Sequence, residues 1–195
     1  MQTTEIAPGL LLTEALYDVV QAGVTAHAPA LPPLTWQAFT QPDGWWLVPD
    51  RNGRISKAEL TLREDRDRTV KINMWYAPDL RGPDGAPRPH SHPWQFESKI
   101  LLGGYTEDRY TVHSGVVRTD MGTEHNQGDA NRVDRSLYHE VRGIHTAPGH
   151  TVTLMLCGRG ERGAWGYLDP ATGHHTPPHP DPQFTAHLNA LNPHR

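Results

Sequence analysis

From Trp45 to Leu168 the chain alternates apolar and polar residues in short runs, the period-two pattern of half-buried strands. The pattern predicts strands over Trp45 to Val48, Ala58 to Arg63, Val70 to Tyr76, Glu97 to Val112, Gly115 to Thr119, Ser136 to Val141, Thr151 to Cys157 and Ala164 to Leu168. Turn-forming runs separate several of them: Pro49-Asp50-Arg51-Asn52-Gly53, Arg81-Gly82-Pro83-Asp84-Gly85, Ala147-Pro148-Gly149 and Gly158-Arg159-Gly160. Only one segment follows a clear helical period. Thr13 is placed to cap a helix starting at Glu14, with Leu16, Val19 and Val20 on one face and a stop near Gly23. Many short strands with little helix predict an all-β fold: a sandwich, a jelly roll or a small barrel.

The same pattern divides the chain into an N-terminal helix and linker over 1–33, a β domain over 34–170 and a Pro/His-rich tail over 171–195. The linker is Ala28-Pro29-Ala30-Leu31-Pro32-Pro33. Within the tail only Phe184 to Leu191 reads as a further element, so surface wrapping or partial disorder is expected there. At 195 residues the chain has the length of one domain that buries a core without disulfides.

Charge narrows the partners. The net charge of −4 comes without a long run of either sign, which argues against nucleic acid or an anionic membrane. A small molecule is the expected partner. The single cysteine, Cys157, rules out an intrachain disulfide and reads as a small buried hydrophobe. No basic start precedes an apolar run at the N-terminus, and the apolar runs fall far short of the ~20 residues that span a bilayer. A cytoplasmic protein is expected.

The chemistry concentrates in Pro89-His90-Ser91-His92-Pro93-Trp94-Gln95-Phe96-Glu97. His90 and His92, one residue apart on an extended chain, point the same way and can reach one ion. Glu97 returns a carboxylate to that point if the intervening segment turns. Five of the 13 histidines (His174, His175, His179, His187 and His194) sit in the tail, so the count alone indicates nothing. A His-x-His arises by chance about once in such a composition. Adding Glu97 and Gly104 at their spacings lowers that expectation to roughly one in 300, and the combination is informative.

His90, His92, Glu97 and Gly104 resemble the first motif of the cupin family in order and spacing, with Gly85 one residue closer than the family's leading glycine. Gly128 and His139 resemble the second motif, although Asp134, Ser136 and Gly143 stand where the family has Pro, Gly and Asn. The resemblance spans about residues 70 to 168. It implies a double-stranded antiparallel β-barrel with one divalent metal ion held by His90, His92, Glu97 and His139. It also implies a tendency to form homodimers. His145 and His150, beside a Pro-Gly turn, are weaker candidates as ligands.

A nitrogen and oxygen donor set suits Fe(II), Mn(II), Ni(II), Co(II) or Zn(II). Fe(II) is favoured under an oxygenase reading, in which a small polar substrate and O₂ use the open positions. The His-x-Asp triad of 2-oxoglutarate oxygenases has only His179-Pro180-Asp181 to offer, in the tail, and no phosphate or dinucleotide loop is present. Lys99 and Tyr105 are the expected catalytic contacts, with Arg142 and Trp165 as further candidates. Trp94, Phe96 and Met74 are expected to exclude water. A redox-neutral isomerase, epimerase or lyase and a non-enzymatic binding module are the alternatives.

Overall fold

The computed structural model describes residues 2–80, 82, 88–161 and 163–194. The turn residues Arg81, Pro83, Asp84 and Gly85 lie outside the described residues. In chain order the elements are β1 (Thr3–Ala7), β2 (Leu10–Thr13), α1 (Glu14–His27), α2 (Trp36–Phe39), β3 (Trp45–Pro49), β4 (Ile55–Glu64), β5 (Thr69–Trp75) and β6 (Phe96–Leu102). They continue with β7 (Gly104–His113), β8 (Val116–Asn126), β9 (Ala130–Val133), β10 (Tyr138–Ile144), β11 (Thr151–Cys157), β12 (Tyr167–Leu168), β13 (His175–Thr176) and α3 (Pro182–Leu191).

Two antiparallel sheets face one another. The larger has the order β3-β4-β5-β11-β6-β9 and the smaller β10-β7-β8. The chain at His90 lengthens the smaller sheet, because His90 and His139 exchange backbone hydrogen bonds of 3.0 and 2.9 Å. Tyr167 of β12 bridges to the other side of His90. Trp75 and Ile100 from the large sheet meet Tyr105 and Val141 from the small one, which fixes the inner faces of the barrel.

The main apolar core lies on the outer face of the large sheet. There Ala58, Leu60, Ile72, Met74, Val152 and Leu154 pack against Leu10, Leu12, Val20, Val24 and Phe39 of the N-terminal elements. Thr13 caps α1 as the sequence predicts, its Oγ1 accepting from Leu16 N at 3.2 Å. The helix runs past Gly23 to His27. Gly23 is a packing residue and not a stop: a Cβ there would meet the Leu101 side chain at 2.5 Å, so its absence lets the helix sit directly on β6.

The predicted strand from Glu97 to Val112 is two strands in two different sheets. Gly103, at φ +69°, makes the corner, and a Cβ on it would stand 2.6 Å from the His150 carbonyl oxygen. Only Tyr167 and Leu168 of the run from Ala164 form a strand. Elements that the alternation did not mark are the β1–β2 hairpin, α2, β9 and β13. The tail holds α3 against β3: Asn192, just past the helix, accepts from Leu47 N at 2.9 Å and donates to Leu47 O at 2.8 Å. Ser114 and Gly115, both at positive φ, close the tight β7–β8 hairpin. Among the described residues no helix is long and apolar enough to cross a membrane.

Candidate metal centre

Strand pleat and pairing bring three imidazoles together at one end of the barrel interior. His90 stands opposite His139 across the added strand, and His92 lies two residues along on the same face. One ring nitrogen from each of His90, His92 and His139 falls within 4.8 Å of the others. His92 Nε2 and His139 Nε2 are 2.9 Å apart. Metal–nitrogen bonds of ~2.1 Å at a right angle put neighbouring donors about 3 Å apart, so this spacing fits two ligands of one ion.

Glu107 fixes the tautomer of His139. Its fully buried carboxylate accepts from His139 Nδ1 at 2.5 Å, His125 Nε2 at 2.9 Å, Arg109 Nε at 2.8 Å and the Asn131 amide at 3.0 and 3.1 Å. Burial by itself would raise its pKa. The hydrogen bonds from His125 and His139 and the Arg109 charge outweigh that, and hold the carboxyl well below the usual range. An ionised Glu107 can only accept, so His139 Nδ1 carries the proton and Nε2 presents its lone pair toward His92. His90 Nε2 lies 3.7 Å from Asp79 Oδ2.

The walls around the cluster are aromatic. Phe96 meets His92 edge-on with centroids 5.0 Å apart, and Trp94 stands 6.2 Å from the same imidazole. Tyr105 lies deeper, 5.0 Å from the His125 ring, and its hydroxyl accepts from Asn131 at 2.9 Å. Burial first, and the Glu107 charge second, push the Tyr105 phenol up, so it stays protonated.

The structure does not bring Glu97 to the imidazoles. Alternation along β6 turns Phe96, Ser98 and Ile100 inward and Glu97 and Lys99 to the opposite face. The Glu97 carboxylate pairs there with Lys99 and with Arg132, whose Nε is 3.2 Å away. Lys99 is therefore placed on the outer face as well. Tyr105 is on the inner face. Met74 faces α1 and the apolar core, away from the histidines. Arg142 pairs with Asp108 at 2.8 Å, His145 contacts the Thr106 hydroxyl at 2.9 Å, and Trp165 packs on Tyr167 at 5.8 Å. His150 is exposed. Cys157 is buried, and burial pushes its thiol up to about 11.

Glu107, His125 and Asn131 are the residues that motif reasoning missed. The signal for Glu107 was present in the alternation Tyr105, Glu107, Arg109, which puts a carboxylate on the same face as a large aromatic. Reading β6 and β7 as one strand hid which face that was.

No family model and no curated protein matches the chain. Among solved structures, an RmlC-like cupin from Shewanella frigidimarina is 13% identical, with 58% of this chain and 84% of that chain covered and a TM-score of 0.38. KdgF from a Halomonas species is 14% identical, covering 54% and 82%, with a TM-score of 0.37. HEPD of Streptomyces albus, solved with 2-hydroxyethylphosphonate and Fe(II) bound, is 16% identical, covering 60% and 24%, with a TM-score of 0.41. In this chain two facing antiparallel sheets enclose a barrel interior and bring His90, His92 and His139 to one end of it.

Proposed function

We propose that this cupin-fold chain is a metal-dependent enzyme, an Fe(II) oxygenase acting on a small polar molecule. The observation that carries the reading is the convergence of His90, His92 and His139, with His139 held by the buried carboxylate of Glu107. Three imidazole donors fit a divalent first-row ion, and Fe(II) bound there supplies oxygen activation while leaving positions for a chelating substrate. His90 and His92 hold the ion from the added strand, and His139 holds it from β10. Glu107 orients His139 and keeps the proton on Nδ1. Phe96 and Trp94 limit water around the imidazoles.

Glu107 and Tyr105, behind the cluster, do not serve as the base of an isomerase or lyase, which leaves that second reading to Asp79, whose Oδ2 lies 3.7 Å from His90 Nε2. Those reactions need a general base with a free lone pair near the ion. Glu107 is committed to His139, His125, Arg109 and Asn131, and Tyr105 is held protonated. Neither is available to take a proton from substrate.

Elemental analysis of protein purified without added metal, followed by oxygen uptake after anaerobic loading with Fe(II), tests the reading. The expected result is about one ion per chain in the wild type, near none in His139→Ala, and oxygen consumption that requires an organic substrate. Product formation at an undiminished rate under strict anaerobiosis would overturn the oxygenase assignment. Equal metal content in the wild type and His139→Ala would overturn the site.

A further inference from the structure

A second polar cluster lies on the inner face, on β4 and β5, outside the centre described above. Cross-strand pairing sets Glu59 opposite Asn73 and Lys57 opposite Trp75, with Lys71 two residues before Asn73 on the same face. The Glu59 carboxylate takes one lysine on each oxygen: Lys57 Nζ is 2.9 Å from Oε1 and Lys71 Nζ is 2.8 Å from Oε2. Two ammonium groups share one carboxylate, so the cluster carries one positive charge in excess. Each ammonium has three N–H donors, and the bond to Glu59 occupies one. A surplus charge drawn away from water is unfavourable until an anion joins it.

The same patch holds an unmet acceptor. Asn73 is fully buried, its amide nitrogen is 2.7 Å from Met155 Sδ, and its Oδ1 has no hydrogen-bond partner. A buried carbonyl in that state calls for an O–H or N–H donor. Trp75, with Lys57 over its ring at 5.0 Å, supplies a flat apolar wall. The lysine side chains remain 14% exposed and that of Glu59 15%, so a molecule from solvent reaches them.

The cluster is continuous with the histidines. Lys71 stands beside Met155, Met155 beside Ser98 and Ser98 beside Asn131, in one cross-strand row on the inner face. Asn131 donates to Glu107, which holds His139.

We propose that Lys57, Glu59, Lys71 and Asn73 form the anion-recognising end of the substrate pocket, and that the substrate is a small organic monoanion, a carboxylate with a neighbouring hydroxyl or amine. This rests on the metal-enzyme reading above and names the class of molecule that site receives. Charge balance selects the monoanion, since one carboxylate cancels the single surplus charge whereas a phosphate dianion would overshoot it. The hydroxyl or amine supplies the donor that Asn73 Oδ1 lacks.

Calorimetry on EDTA-treated, metal-free protein tests the proposal with lactate and salicylate, their amides and inorganic phosphate as probes. At least one acid is expected to bind, and its amide about tenfold more weakly, the loss of one charge-assisted hydrogen bond. Lys71→Met is expected to weaken the acid about tenfold, whereas Glu59→Gln, which raises the surplus charge to two, tightens phosphate by a similar factor. Failure of both acids to bind, equal affinity for acid and amide, or shifts of the same sign in the two variants would overturn it, because only a charge-based role gives opposite signs. If circular dichroism shows that Lys71→Met does not fold, the acid and amide pair and Glu59→Gln decide. Working without metal separates the two readings: elemental analysis judges the metal centre, and these affinities judge the anion subsite.

Discussion

The two faces of the large sheet come from the same strands and do different work. On β5, Val70, Ile72 and Met74 face the N-terminal elements, while Lys71, Asn73 and Trp75 face the barrel interior. On β11, Val152 and Leu154 join the apolar core, while Thr153, Met155 and Cys157 line the inside. The outer face is apolar over β3, β4, β5 and β11, where α1 and the β1–β2 hairpin close over it, and turns polar at Glu97 and Lys99 of β6. The inner face carries Asn131 and the Lys57–Glu59–Lys71 cluster and looks across the barrel interior at His139 and Glu107 of the smaller sheet and at the strand added at His90. Folding stability and chemistry are thus separated by the thickness of one sheet, so a residue's parity along its strand indicates which of the two a substitution will disturb.

The sharpest way to break that separation is from the outer face. Leu154→Ala empties a fully buried position and is expected to cost about 2–5 kcal/mol of stability in urea unfolding, with metal stoichiometry unchanged. Glu107→Gln approaches from inside: it keeps the shape of the group that orients His139 but removes its charge. Metal affinity is expected to fall about 10–100-fold, read by competition with a chelator. A stability loss with affinity unchanged would make Glu107 a purely structural residue.

A smaller effect tests the inner lysine cluster by pH. Burial opposes ionisation of Glu59, but Lys57 and Lys71 outweigh it and lower its pKa from 4.5 to about 2. Because the folded value lies below the unfolded one, this stabilisation is complete above about 4.5 and is lost as pH falls toward 2. The stability gap between wild type and Glu59→Gln should therefore narrow from pH 6 to pH 3 on a urea titration series, and a constant gap would refute it. The smallest effect belongs to Glu97→Gln. Glu97 pairs on the opposite face with Lys99 and the exposed Arg132, so metal affinity should change by less than about twofold. A large loss on chelator competition would return Glu97 to the ligand set.

The sequence carried much of this site and misdirected part of it. His90 and His92 were legible because a one-residue spacing on extended chain fixes a shared direction whatever the surrounding fold. Gly104 and His139 were legible by spacing within a resemblance. Glu97 was misplaced because its face depends on where the chain turns after Pro93, and alternation along β6 sends Phe96 inward in its stead. Glu107 stayed hidden because the corner at Gly103 separates two strands that hydropathy joins into one. The length of α1 was misjudged for a related reason: the meaning of Gly23 lies in Leu101, far along the chain, and not in the helix itself.

The β7–β8 hairpin also bears on how the molecule reaches this state. Its turn at Ser114 and Gly115 pairs residues that are neighbours in the chain, so little loop-closure entropy opposes its formation. The large sheet is the opposite case, because β11 must insert between β5 and β6, with Thr151 pairing to Trp75. High contact order of this kind slows folding. His90 meets β10 across the intervening strands β6 to β9, so the three imidazoles come together only when that long-range pairing forms, and an ion held by all three would follow it.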